Sequence, residues 1–277
     1  MSNEIKVADV DQVKELFTAL KDKMNSLKIV EKIIVKPFSE CSLRDIAKIT
    51  NGYYNGNLQL DDITKVWNIG DSFTFTLPSV PTGGYVSETQ PQQSVTMEII
   101  DFNHDILVDQ TKKEKALITF CSSMCLSEKG KMKQARSNNG GWNGSERRNW
   151  CNNSLYGVIP QDIKNMIKQV VKKATDGGYS SGKKTILNSN DYCFLLSCVE
   201  LGGASVVNEG YGLTGDDGFQ YAAFTDKNNR TKPGGTYWTR STRYKDNLRF
   251  FEYITNNEAY DDEDANLSYG IRFCFCI

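Results

Sequence analysis

The sole histidine, His104, stands in "DFNHD" with Asp101 and Asp105 close by. A carboxylate beside an imidazole is the arrangement that orients a general base against a Ser or Cys nucleophile. No nucleophile elbow accompanies it, so the expected role is structural: a histidine that fixes the turn after a buried strand through both ring nitrogens. The eight cysteines (Cys41, Cys121, Cys125, Cys151, Cys193, Cys198, Cys274, Cys276) could ligate a metal or do redox chemistry. Their closest spacings are Cys-x3-Cys at 121 and 125, Cys-x4-Cys at 193 and 198, and Cys-x-Cys at 274 and 276. None is the Cys-x2-Cys of a structural zinc site. Cys193, Cys198, Cys274 and Cys276 lie in apolar runs, where a reduced thiol behaves as a small core hydrophobe.

Oxygen ligands cluster twice, in "GDDG" (Asp216, Asp217) and in "YDDEDAN" (Asp261, Asp262, Glu263, Asp264, Asn266). Ca²⁺ takes roughly six to eight oxygens from such residues, but the EF-hand spacing is missing. A solvated loop is expected, with Asp261, Asp262 and Asp264 as the candidate Ca²⁺ ligands and no other cofactor. "NNGGWNGS" and "KPGGTYWT" lack the Lys-Ser/Thr of a phosphate loop and read as turns. Trp142 and Trp150 read as packing residues or as ligand platforms. Trp238 and Arg240 are expected to be scaffold, with Arg240 forking to a carboxylate or to backbone carbonyls and so tying the last strands together.

These groups need elements to hold them. The 33 basic and 34 acidic residues leave a net charge of -1, which exerts no general pull toward nucleic acid or membrane. No apolar run is long enough to span a bilayer, and "MSNEIKVADVDQ" has no basic and apolar leader, so the protein is expected to be made in a cytoplasm without a signal peptide. Its cysteines are then expected to stay reduced.

Residues 10–27 place Val10, Val13, Phe17, Leu20, Met24 and Leu27 at alternating steps of three and four, which predicts a helix with a narrow apolar seam. Such a seam suits a coiled coil of identical chains or docking on the chain's own domain. "KIIVKPF" reads as a strand; "SECSLRDIAKITNG" reads as a helix capped by Ser42 with Asp45 three residues on. "SFTFTL", "SVTMEIIDF" and "KALITF" read as strands, and "SERRNWCNNSLYGVI" as a helix capped by Ser145. "PQDIKNMIKQVVKKA" also reads as a helix, with Ile163, Met166, Ile167, Val170 and Val171 on one face. "DYCFLLSCVEL", "TYWTRS", "LRFFEYI" and "GIRFCFCI" read as strands between long polar loops. The pattern is α+β.

Several segments in order ("VWNIGD", "IIDFNHD", "ALITF", "GGWNGSERRNWCNN", "VIPQDIKNMIKQV", "FLLSCVEL", "GFQYAAF", "YWTRS", "GIRFCFCI") resemble a domain family of phages and prophages of gut bacteria. That family in turn resembles the C-type-lectin-like fold of formylglycine-generating enzymes and of the variable receptor-binding proteins of diversity-generating retroelements. The resemblance covers about residues 64–277; where relatives often carry Met-Arg, this chain has Arg147-Arg148 before Asn149 and Trp150.

The resemblance implies two parts. Residues 1–60 would be an attachment and oligomerisation segment, and 61–277 a C-type-lectin-like domain of two helices around small, mostly antiparallel sheets. The resemblance also implies that Trp142 and Trp150 are packing residues, at a helix entrance on the structural side of that domain. It implies a non-enzymatic virion protein of tail-fibre or head-fibre type, a trimer joined to other virion proteins through its N-terminal segment and binding a host-surface polysaccharide or protein. A ligandless decoration protein is the first alternative. An oxidase of the formylglycine-generating type, using Cys274 and Cys276, is the second, although two residues apart on a strand sit about 6.5 Å or more from each other. The sugar-site triplets Glu-Pro-Asn and Gln-Pro-Asp of calcium lectins are absent. The C-terminal stretch before the last strand has the Tyr, Asn, Asp and Arg composition of adaptable binding surfaces. In the retroelement-diversified proteins the variable positions lie just before the last strand, so the resemblance implies contacts at Tyr244, Asp246, Asn247, Arg249, Phe251, Tyr253, Asn256, Asn257 and Tyr260, with Phe250 and Tyr253 or Phe251 as core on alternating strand faces as the alternative.

Overall fold

The capping box read at Ser42 forms: Ser42 Oγ accepts from the Asp45 amide at 3.2 Å and Asp45 Oδ2 accepts from the Ser42 amide at 2.9 Å. It starts a helix over Leu43–Tyr54, the second in this computed structural model, which describes residues 9–26, 32–177, 184–245, 248–254 and 259–277. The chain divides into two units, Met1–Ile34 and Val35–Ile277.

In the first unit, α1 (Val10–Ser26) carries the expected seam. Val10, Val13, Phe17 and Leu20 are all exposed, Phe17 at 75 %, and Leu16 widens the stripe. Met24 belongs to the helix without a described side chain, and Leu27 lies outside the described residues.

The second unit begins well before the expected boundary at residue 60. Phe38 packs edge-on against Trp67 (5.1 Å between ring centroids), Tyr54 Oη accepts from the Leu117 amide at 3.0 Å, and α2 (Leu43–Tyr54) buries Ile46 and Ile49. Residues 35–60 are therefore part of the larger unit rather than of an attachment segment. Residues 32–37, expected as a strand, join no sheet. After α3 (Leu60–Thr64) come β1 (Ser72–Leu77), β2 (Gln93–Phe102) and β3 (Ile118–Ser122). With β6 (Cys193–Leu195) and β10 (Phe273–Cys276) they make an antiparallel five-stranded sheet in the order β1-β2-β3-β10-β6. β10 thus lies inside the sheet, between β3 and β6.

Ser145 caps α4 (Glu146–Trp150), which passes through a π-helical turn (Cys151–Leu155) into α5 (Tyr156–Val158). The following segment corrects a sequence expectation. Helix α6 stops at Gln161–Lys164, and residues 170–175 form β4 (Val170–Thr175) paired with β5 (Ile186–Asp191). Val170, Lys172 and Ala174 are buried in alternation, a period of two hidden by an apolar neighbour and by a lysine that has buried partners. "SCVEL" turns from strand into α7 (Cys198–Gly202), where Ser197 and Glu200 form a capping box. α8 (Lys227–Thr231) precedes a third antiparallel sheet, β7-β8-β9, of β7 (Thr236–Thr242), β8 (Arg249–Ile254) and β9 (Ala259–Asp264). The acidic run read as a loop is therefore β9, held by pairing from Arg249↔Asp264 to Ile254↔Ala259. Overall the unit is α+β with small antiparallel sheets and few helices.

Candidate functional site

The site is built on a buried ionic centre that joins all three sheets. Lys172 of β4 donates to Asp105 Oδ1 (2.5 Å), Glu200 Oε1 (2.6 Å) and Tyr221 Oη (2.9 Å). Tyr221 and Thr119 donate in turn to Asp105. Arg240 of β7 grips Glu200 with both terminal nitrogens and donates to the carbonyls of Lys173, Leu195 and Asp217. None of these five charged or phenolic residues is more than 4 % exposed. Burial alone would raise the Asp105 and Glu200 carboxyls, but Lys172 beside the first, and Arg240 with Lys172 beside the second, hold both below their usual range.

Asp217 is the carboxyl left over from this balance. Its Oδ2 accepts from Ser241 at 2.5 Å, while its buried Oδ1 has no hydrogen-bond partner among the described residues. Burial pushes it up to about 6, and Glu200 adds to the rise against the pull of Ser241 and Arg240. Gly218, at φ 137°, lets the chain turn beneath the Glu200 carboxylate; a Cβ there would lie 3.1 Å from Glu200 Oε1. His104 stacks on Tyr221 at 4.1 Å, with Nδ1 3.8 Å from Asp105 Oδ2. Neither ring nitrogen has a hydrogen-bond partner among the described residues, where ring stacking takes the place of the expected double tie.

Above this centre the β7-β8-β9 sheet and the 207–217 and 243–245 segments form an apex where part of the expected binding residues meet. Tyr244 donates to Glu209 Oε2 at 2.7 Å, and Lys184 reaches Glu209 at 3.2 Å and Asp216 at 2.5 Å. Asp262 accepts from Arg243 at 2.8 Å and from Tyr211, and Arg249 lies 3.6 Å from it. The Arg243 guanidinium also lies 4.2 Å from the Tyr211 ring centroid. Arg136 donates to Asp264 at 2.6 Å. Asn138 donates to the carbonyls of Arg243 and Arg249 and so fastens the loop between β7 and β8.

Of the nine expected contact residues, Tyr244 and Arg249 are partly exposed on this apex. Phe251 and Tyr253 are core instead, 1 % and 0 % exposed. Phe251 packs with Cys198 and Leu213 under Tyr211, and Tyr253 lies between Tyr237 and half-buried Tyr260. Both faces of β8 are covered, because Phe250 is buried as well. Asp246, Asn247, Asn256 and Asn257 lie outside the described residues. The Ca²⁺ expectation is also corrected. Asp262 and Asp264 face Arg136, Arg243 and Arg249, whose positive charge takes the place a cation would need, and only Asp261 is exposed. Among the described residues no three His, Cys, Asp or Glu side chains converge as metal ligands do.

Trp142, Trp150, Trp238 and Arg240 are fully buried or nearly so. Trp142 Nε1 donates to Asp191 at 2.8 Å, as does Arg148 Nε at 2.6 Å, and Asn152 brackets residues 191–193. The "GGWNGSERRNWCNN" segment therefore clamps the β5–β6 corner. Its Gly141, at φ 54°, comes so close to β4 that a Cβ would sit 1.9 Å from the Thr175 carbonyl oxygen. Arg147, in the position where Met was expected in relatives, pairs with Glu88. Trp238 Nε1 donates to Gly130 O at 2.8 Å.

Cys274 and Cys276 are wholly buried, and burial pushes both thiols well up, away from the thiolate that redox chemistry requires. The sequence singled out Asp217 and Asp105 only as members of motifs and missed Lys172, Glu200 and Tyr221. The Ser-x-x-Glu box at Ser197 was the one legible sign of Glu200.

A family model described as a domain of unknown function, DUF6273, matches residues 106–277, well over half of the chain. The chain belongs to the DUF6273 family. No curated protein and no solved structure matches it. The DUF6273 segment contains the apex and the ionic centre except Asp105, which stands one residue before it, while β1 and β2 precede it and complete its five-stranded sheet. No helix among the described residues is long and apolar enough to cross a membrane.

Proposed function

We propose that this chain is a non-enzymatic binding component of a phage or prophage particle, of tail-fibre or head-fibre type, whose C-type-lectin-like domain meets a host-surface polysaccharide or protein at the apex. The observation that carries this reading is the contrast in one sheet. β8 is locked into the core on both faces, yet the same strand and the loop before it hold Arg249 and Tyr244 at the surface, and the neighbouring strand β9 carries exposed Asp261. A rigid platform that presents aromatic, cationic and acidic groups loses little conformational entropy on binding. The return of the last strand to the middle of the main sheet, with the C-terminal variable-type stretch in a separate small sheet, supports the lectin-like part of the reading. The sealed thiols weigh against the oxidase alternative.

The apolar stripe of α1 supports self-association. A 17-residue helix is marginal alone in water, and its 3-4 spacing is what identical helices interlock. The trimer this implies would multiply a modest affinity per apex by effective concentration.

Adsorption of the labelled full chain to a panel of gut bacteria, read by flow cytometry, tests the apex. The double variant Tyr244→Ala, Arg249→Ala is expected to lose about tenfold or more in adsorption with the unfolding midpoint nearly unchanged. Adsorption equal to wild type removes the apex as the contact surface. No adsorption by either protein favours the ligandless decoration reading.

A further inference from the structure

A second surface, on none of the elements of the β7-β8-β9 sheet, has the makings of a ligand site. Two grooves, of about 350 and 420 Å³, meet at Asn51 and Lys168. Both volumes fall within the range of small-molecule sites, about 300–1,000 Å³. The backbone at the junction is pinned: the Lys168 amide donates to the Cys276 carbonyl of the core sheet at 2.8 Å, and the Val108 amide donates to the Gln169 carbonyl at 3.0 Å. The Lys168 side chain is thus half-buried at a fixed place, its ammonium 5.0 Å from the Tyr54 ring centroid. Among the described residues it has no carboxylate within 4 Å and no hydrogen-bond acceptor. Lys172, the buried lysine of β4, by contrast has two carboxylates.

Burial lowers the Lys168 ammonium from its ordinary value; Lys112 across the groove lowers it further, and Asp109 opposes them. A half-buried cation that lacks a counter-ion is a cost to the free protein, and a ligand anion removes that cost. The rest of the lining says what else the ligand carries. Asn51, Asn165 and Gln169 offer amides to hydroxyl groups, and Tyr54 and Tyr192 offer ring surface to the apolar face of a sugar. A stretch of phosphodiester backbone fits less well, because the lining cations Arg44, Lys168 and Lys112 are interspersed with Asp162 and Asp109, which would repel it.

We propose that this groove binds an acidic saccharide, with its carboxylate on Lys168 and its hydroxyls on the surrounding amides. The site is independent of the apex, so either can fail without the other. D-glucuronate titrated into the ¹⁵N-labelled full chain is the probe, with D-glucose and acetate as controls for the sugar and for the charge. Glucuronate is expected to shift the Asn51, Lys168 and Gln169 amides saturably and to bind about tenfold or more tighter than either control, the worth of one charge-assisted hydrogen bond. Lys168→Met is expected to lose that tenfold, and Lys168→Arg to keep most of it. Lys112→Gln, at an exposed position, is expected to weaken binding by about threefold and guards against a folding defect at residue 168. Acetate binding as tightly as glucuronate reduces the site to a bare anion hole and overturns the saccharide assignment. Absence of saturable shifts, or unchanged affinity in Lys168→Met, overturns the site.

Discussion

The ionic centre under α7 and the apex over β8 are made from the same residue types, arginine, lysine, aspartate, glutamate and tyrosine, in comparable numbers. They differ in water. In the centre Lys172, Glu200 and Arg240 are at most 3 % exposed, whereas at the apex Arg249, Lys184 and Glu209 keep between 31 % and 48 % of their side-chain surface. A pair sealed from solvent is weakly favourable as a whole but very costly to break, because the survivor is stranded. A pair in water is screened and its survivor is rehydrated, so it contributes little either way. The lesson is that the centre fixes geometry and the apex is free to vary, which is the division a binding scaffold needs.

The comparison breaks first if the centre proves tolerant. Glu200→Gln keeps the shape of the side chain but removes the carboxylate that Lys172 and Arg240 share, leaving Lys172 on Asp105 and Arg240 beside Asp217 without its ion pair. A loss of about 3–5 kcal/mol is expected, read as a lower urea midpoint at unchanged slope. A loss below about 1 kcal/mol would mean that the centre is not sealed as described.

Asp217 sharpens the same contrast through pH. Burial pushes its folded carboxyl from an ordinary 3.8 up to about 6, and Glu200 adds to the rise. The folded state therefore holds the proton more tightly than the unfolded state. The associated stability is fully present below about pH 4 and is lost as pH rises through 6, by on the order of 2–3 kcal/mol. Asp105 and Glu200 are shifted downward and give the opposite slope at lower pH, in wild type and variant alike. The difference in unfolding free energy between wild type and Asp217→Asn should consequently fall by that amount between pH 4 and pH 7. A difference that stays flat would place Asp217 in contact with water.

How far the sequence could anticipate this follows from the same physics. Local signals were legible because they act locally: the caps at Ser42 and Ser145, the alternation of "SFTFTL", and the apolar run that became β10 all appear where expected. The segment after Pro160 was misread because Val170 and Val171 satisfy a helical face and a strand equally well, and the lysine that decides for the strand is buried only through partners 28 and 67 positions away. The acidic run failed for the related reason that its arginines come from distant segments, Arg136 being 128 residues from Asp264. Phe251 and Tyr253 stood among the contacts implied by the resemblance, with core as the alternative; the second layer formed by Tyr211, Tyr237 and Tyr260, which decides for core, is a long-range fact.

The smallest effect is the most telling for function. Arg249 lies 3.6 Å from Asp262 and 3.8 Å from Asp264, with 38 % of its side chain exposed. Both carboxylates have better-placed partners, Arg243 at 2.8 Å and Arg136 at 2.6 Å, so removing Arg249 strands neither. Arg249→Ala should therefore change stability by less than about 1 kcal/mol, and by less still in high salt, where exposed charges are screened. Thermal unfolding at low and high ionic strength measures it. A loss comparable to that of Glu200→Gln would make the apex an extension of the core, unable to change its residues without losing the fold. A small, salt-sensitive loss leaves the residue at this position open to selection by a ligand rather than by folding.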